Sequence, residues 1–216
     1  MDIFERLSDV LGQAQCLQDL AQLFQGDNQL DAAVEAVSRS IDLLPDSQRF
    51  MLSKGHHILG DIYRFKGEAE RAVNHYEAAL VVPYDLQFQA HYSLAGLFCE
   101  QGKFDEAHTH IESAKWYADD AYNLGCAMGL QAGFLYQQGR LEAAKSEALN
   151  AVGVLEELAV KRVGAMEQLE KCRELLQGIE RKTEMLAAPR DLDSELHKTV
   201  LLPTPVNLSS SARGSK

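Results

Sequence analysis

LGDIYRFKGEAERAVNHYEAAL, residues Leu59–Leu80, carries the spacing that decides the fold. Gly60 is followed twelve residues later by Ala72 and after seven more by Ala79, while Tyr63 stands three residues beyond the glycine. Three other stretches keep the same frame. They run Ala21, Ala33, Ser40 with Phe24; Ala95, Ala107, Ala114 with Phe98; and Ala132, Ala144, Ala151 with Leu135. Self-similarity at a period of roughly 34 to 40 residues marks a stacked helical repeat. Two antiparallel helices approach closely only where both carry little side chain, and a large residue one turn on fills the groove so formed. Gly67, Gly102 and Gly139 lie five residues before their alanines, where a helix-ending glycine is expected; Asp27-Asn28, beside Gly26, takes that place in the first unit. The spacing predicts an all-α, right-handed α-solenoid of about four helix-turn-helix units in which stacking completes the core.

The identities at these positions resemble the tetratricopeptide repeat (TPR), which runs Leu-Gly, an aromatic, an alanine, then an apolar residue and a late proline. Leu59, Gly60, Tyr63, Ala72 and Tyr76 fill the pattern, as do Leu94, Ala95, Phe98, Ala107 and Ile111. The first unit supplies Leu20, Ala21, Phe24, Ala33, Val37 and Pro45, and in the fourth Gln131 stands where leucine is expected. The units are expected at about 14–47, 53–86, 88–121 and 125–158.

The chain over about residues 1–186, including AQCLQDLAQLF and LEAAKSEALNAVGVLEEL, further resembles the C-terminal TPR region of fungal NB-ARC/NACHT (STAND, NOD-like receptor-like) proteins. That resemblance implies a sensor or scaffold segment. No G-x-x-x-x-G-K-[ST] phosphate loop occurs, so nucleotide switching does not carry over. Residues 1–13, beginning MDIFERL, read as a half-repeat helix, the end of a second helix from a preceding unit. That reading implies a fragment, a shortened paralogue or a late-starting frame, and its open end is a candidate surface for self-association.

Beyond Leu158 the alanine frame stops. Ala165, Leu169, Cys172, Leu176 and Ile179 form one apolar stripe within a charged helix over 159–186. This is a capping helix or a coiled-coil seam, and fewer than three or four heptads favours the cap. Residues 187–216, without aromatics and broken by Pro189, Pro203 and Pro205, are expected as a disordered tail. Its Leu201–Val206 island is a candidate docking motif.

First helices line the inner groove, and counting from the frame names its side chains. They are Lys54, His57, Ile58, Asp61, Arg64 and Phe65 in the second unit, and Gln89, Tyr92, Ser93, Gly96 and Cys99 in the third. Gly129, Leu130, Gly133 and Tyr136 follow in the fourth. Mixed charge with aromatic anchors suits an extended peptide, an ordinary solvated inner face being the alternative. TPR cochaperones grip a terminal carboxylate with Lys, Asn and Arg; the matching positions here are Gln18, Gln22, Ile58, Gln89 and Ser93, so a chaperone carboxylate clamp is not expected.

Net charge is −11 over 216 residues, which argues against nucleic acid and anionic membranes as partners. No apolar run approaches the ~18 residues of a membrane span, and no signal peptide is visible, so a cytoplasmic compartment is expected. Cys16, Cys99, Cys126 and Cys172 lack zinc-binding or redox spacing and read as reduced packing residues. His56-His57 and His108-Thr109-His110 put neighbouring rings on different helix faces, so neither cluster holds a metal by itself. H-E-x-x-H and G-x-S-x-G are absent. The expectation is a non-catalytic protein or peptide binder, without cofactor, or a self-assembling module.

Overall fold

The computed structural model describes residues 2–81, 86–159 and 163–187, with backbone alone for 2–9 and 163. Among the described residues there are nine helices and no strand: α1 Asp2–Gly26, α2 Leu30–Leu43, α3 Arg49–Phe65, α4 Ala69–Ala79, α5 Gln87–Glu100, α6 Phe104–Trp116, α7 Ala121–Gln137, α8 Leu141–Ala159 and α9 Val163–Ala187. The chain is an all-α solenoid. α1/α2, α3/α4, α5/α6 and α7/α8 are the four antiparallel pairs, and each first helix also meets the first helix of the next pair.

Each pair is closed by one turn repeated four times. Gly67, Gly102 and Gly139 have φ of 76°, 69° and 75°, and Asn28 takes φ 59° in the first unit. The backbone N–H that follows reaches back to the large framework residue: Gln29 to Phe24, Glu68 to Tyr63, Lys103 to Phe98 and Arg140 to Leu135, at 2.7–3.0 Å. This is the six-to-one bond of a Schellman cap, and a left-handed residue is what makes it possible. Asparagine is the side-chain-bearing residue that best tolerates this conformation, which explains why it replaces glycine once.

Within the pairs the small residues sit at the helix crossings. Ala21, Ala33, Ala72, Ala95, Ala107, Ala132 and Ala144 are fully buried in one continuous apolar cluster with Ile62, Tyr76, Leu94 and Ile111. The cluster runs through all four units and ends on Ile179 of α9. α9 packs on α8 and α7, burying Ala165, Leu169, Cys172 and Ile179. Four of the five stripe residues are thus buried inside the chain, and Leu176 is partly buried against the core.

Several expected boundaries differ in the structure. The half-repeat expected over residues 1–13 is not a separate helix, because α1 runs unbroken from Asp2 to Gly26. Its one potential breaker, Gly12, does not take positive φ and meets no neighbouring side chain. The first helices of units two to four also begin before their expected windows, at Arg49, Gln87 and Ala121. α9 takes in Ala187, the first residue of the expected tail; the rest of the tail, with its Leu201–Val206 island, lies outside the described residues.

Candidate functional site

The groove is built where α3 and α5 run side by side. Its keystone comes from a second helix: Tyr76 on α4 lies across Gly60, and its hydroxyl donates to Asp61 Oδ1 at 2.7 Å. Burial and the neighbouring Asp61 carboxylate push the Tyr76 phenol far above its ordinary range. Asp61 also lies 3.6 Å from His57 Nδ1, whose Nε2 is 3.2 Å from Ser93 Oγ on α5. Tyr76, Asp61, His57 and Ser93 thus form a polar chain that ties two neighbouring units together.

Beside this chain Arg64 crosses from α3 to α5 and pairs with Glu100, its Nε at 3.3 Å from Oε2 and its Nη2 on Oε1. The guanidinium passes over Gly96, where a Cβ would stand 3.7 Å away, an ordinary contact distance. Asp61, Arg64, Phe65 and Glu100 border an open depression of about 450 Å³. Phe65 is 72% exposed at its edge. Lys54 stands at the other end of α3, 4.0 Å from Asp19 of α1. The arrangement offers a guanidinium, two carboxylates and an aromatic face within one concavity, a set that can hold a polypeptide backbone and one apolar side chain.

Several residues counted into the groove lie elsewhere. Ile58 and Cys99 are only 4% and 8% exposed and belong to the continuous core. Cys99 stands at the repeat position of Arg64, but its short side chain ends at the groove floor, where burial raises its thiol pKa. Tyr92 is half-buried, stacked on Phe88 with ring centroids 5.6 Å apart, in a separate cluster with Cys126 and Ala127. Burial holds its phenol far above the ordinary range. Gln89 is half-buried with its Oε1 enclosed and unpaired.

In the fourth unit α9 takes the inner face. A Cβ at Gly129 would meet Cys172 Sγ at 2.7 Å, one at Gly133 would stand 4.0 Å from Leu175, and Lys182 Nζ lies 4.6 Å from the Tyr136 ring centroid. Leu130 packs partly buried on the core. The counted positions lie on α3, α5 and α7, and of them Asp61, Arg64 and Phe65 border the depression. Counting missed Glu100 and Tyr76; the first lies one residue beyond the counted position, and the second read as framework. The clamp positions offer no cation: Gln18 is fully buried, donating to Ser40 Oγ at 3.2 Å and Met51 O at 3.0 Å. Among the described residues no group of three His, Cys, Asp or Glu side chains is placed to hold a metal.

A family model described as tetratricopeptide repeat matches residues 53–80, the stretch holding Gly60, the Gly67 turn and Tyr76. The chain carries a tetratricopeptide repeat. No curated protein matches it. The helical array is similar in structure to BtubC (BKLC) from P. vanneervenii, at TM-score 0.67 and 14% identity over 99% of this chain and 91% of that one. It is also similar to a Podospora anserina protein with nearly identical TPR-like repeats, at TM-score 0.55 and 18% identity over 80% and 97% of the two chains. A third neighbour is YrrB, described as a TPR protein with an unusual peptide-binding site, at TM-score 0.50 and 18% identity over 78% and 90%. At these identities the likeness is one of fold.

Proposed function

We propose that this TPR array is a non-catalytic interaction scaffold that takes an extended peptide or protein segment across α3 and α5. The observation that carries the reading is the open depression bordered by Asp61, Arg64, Phe65 and Glu100, with an exposed aromatic ring beside fixed charges. The peptide-binding site named for YrrB supports the same use of the fold. The resemblance noted in the repeats makes the partner-sensing segment of a fungal NOD-like receptor-type protein the finer reading, in a cytoplasmic setting. Net charge of −11 favours a neutral or basic protein partner over nucleic acid, and no described helix is long and apolar enough to cross a membrane.

The test is photo-crosslinking from position 65 and affinity capture with Phe65→Ala and Arg64→Glu variants. Loss of the wild-type partner from both variants supports the groove; unchanged recovery removes it. Because the Arg64 and Glu100 side chains are 37% and 55% exposed, their pair contributes at most ~1 kcal/mol to stability, and circular dichroism melts of both variants separate lost capture from unfolding.

A second reading, self-association, is favoured by one observation on α1. Leu23 is 68% exposed, whereas Ile62, Leu97 and Phe134 at the same repeat position are at most 5% exposed. Those three are covered by neighbouring units; Leu23 presents the same surface bare, with Leu20 and Cys16 beside it. Sedimentation velocity at tens of micromolar, with Leu23→Lys as control, decides between oligomer and monomer.

A further inference from the structure

Two histidine pairs recur at one position of the repeat, and the groove reading does not use them. His56 on α3 faces His75 on α4 with Nδ1 atoms 3.2 Å apart, and His91 on α5 faces His110 on α6 at 2.8 Å. Both members advance by 35 residues from one unit to the next, so the pair is one device built twice. The corresponding positions are Leu17 and Ala36 in unit one, and Met128 and Glu147 in unit four, where no such pair is possible.

Each pair is clamped by aromatic rings. Tyr63 stacks on His75 at 5.3 Å and 5°, with the Arg71 guanidinium 4.2 Å from the Tyr63 centroid. Phe98 stacks on His110 at 5.4 Å, Tyr117 on His91 at 5.6 Å, and Lys103 Nζ lies 5.6 Å from the Phe98 centroid.

We propose that these two bridges latch the central units, and that acid opens them, loosening α3–α6 ahead of α7–α9. Two neutral rings share one hydrogen bond, one Nδ1–H donating and the other Nδ1 accepting. A first added proton leaves a donor and an acceptor in place. A second leaves two N–H groups facing each other between like charges, and the contact must open.

The surroundings set the order of events. Burial lowers His56; burial, then the charges of His56 and Arg71, lower His75. Burial, then His110, brings His91 to about 4. Burial also lowers His110, against which the carboxylate of Glu77 on α4 works in the opposite sense. All four groups have folded-state values below the unfolded 6.5, so the unfolded chain binds more protons. Stability is therefore lost as pH falls below 6.5, for His91 through the window down to about 4. α3 and α5 also carry Asp61, Arg64, Phe65 and Glu100, so the latch and the depression share helices.

The experiment uses the full chain, with backbone amide exchange corrected for its intrinsic pH dependence at pH 7.5 and 4.5. Wild type is expected to lose protection at least tenfold more in α3–α6 than in α7–α9. His75→Phe with His110→Phe keeps a ring on Tyr63 and Phe98 but removes the facing nitrogen, and is expected to reduce that difference several-fold. His108→Phe, outside the pairs, is expected to leave it unchanged. Equal loss in both halves, an unaltered double variant, or an equal effect of the His108 variant overturns the proposal. Should the double variant fail to fold, imidazole nitrogen shifts of wild type decide. Two-step titration of each pair supports the latch, and four independent titrations near 6.5 refute it.

Discussion

Gly60 and Tyr76 fit together as a single large residue against a bare backbone: a Cβ on Gly60 would lie 2.5 Å from two carbons of the tyrosine ring. In the third unit the same crossing pairs Ala95 with Ile111, so the two positions share out one volume. Gly60→Ala is expected to cost about 1–3 kcal/mol through overpacking. Adding Tyr76→Ile, which rebuilds the third-unit combination, is expected to recover more than half of the loss. Urea unfolding at neutral pH checks both, and a double variant no more stable than Gly60→Ala would show that the ring is not the obstacle.

The Tyr76 hydroxyl carries a second expectation, at alkaline pH. Its folded-state value is raised by burial first and by Asp61 second, so the folded chain keeps a proton that the unfolded chain loses near pH 10. The stabilisation is fully present below that pH and disappears as pH rises above it. Tyr92 adds to the same limb. Tyr76→Phe is expected to cost about 1 kcal/mol at pH 7 for the lost bond to Asp61 and to flatten the decline above pH 10. Tyrosinate absorbance followed alongside circular dichroism should show these two phenols ionising only with unfolding.

Thiol reactivity separates the four cysteines. Cys16 is exposed on α1, while Cys99, Cys126 and Cys172 are buried. Burial additionally raises the Cys99 and Cys172 thiols, which lowers their thiolate fraction. An aromatic disulfide reagent is expected to titrate one thiol within minutes in native buffer and the rest only in denaturant. A second fast thiol would contradict the packing of α5, α7 or α9.

Ile179 tests the terminal helix. It is fully buried although it lies eight residues from the end of α9, and it joins the core shared by all four units. Ile179→Ala is expected to cost about 2–5 kcal/mol. Met185, exposed one and a half turns later, is expected to tolerate alanine within ~0.5 kcal/mol. Similar losses for the two would mean that α9 is held by something other than its apolar stripe.

The legible part of this chain was the part in which geometry permits few side chains. Gly60, Ala95 and their partners stand where two backbones cross, and Gly67 stands where φ must be positive, so residue type reports position directly. The groove was half legible. Counting names Asp61, Arg64 and Phe65, which border the depression, because helical phase decides which way a residue faces. Phase does not say how far a side chain reaches, so Cys99 was assigned with Arg64 although only the longer residue leaves the floor. Nor does it say what arrives from elsewhere: Lys182 over Tyr136, Cys172 beneath Gly129 and Glu100 against Arg64 are meetings between distant segments. The histidine pairs were hidden for the same reason, since reading His56 beside His57 obscured its partner 19 residues on.

Among the described residues, no helix touches another more than two places away along the chain. An array held by neighbour contacts alone is expected to yield like a spring. A load or ligand that turns one pair of helices by a degree or two is resisted only by the adjoining pairs, and the small rotations add along the stack. Groove width then varies smoothly with the curvature of the whole coil, at low energetic cost per unit. A long binding segment would be gripped by winding and unwinding, with compliance distributed over every interface and concentrated at no single hinge.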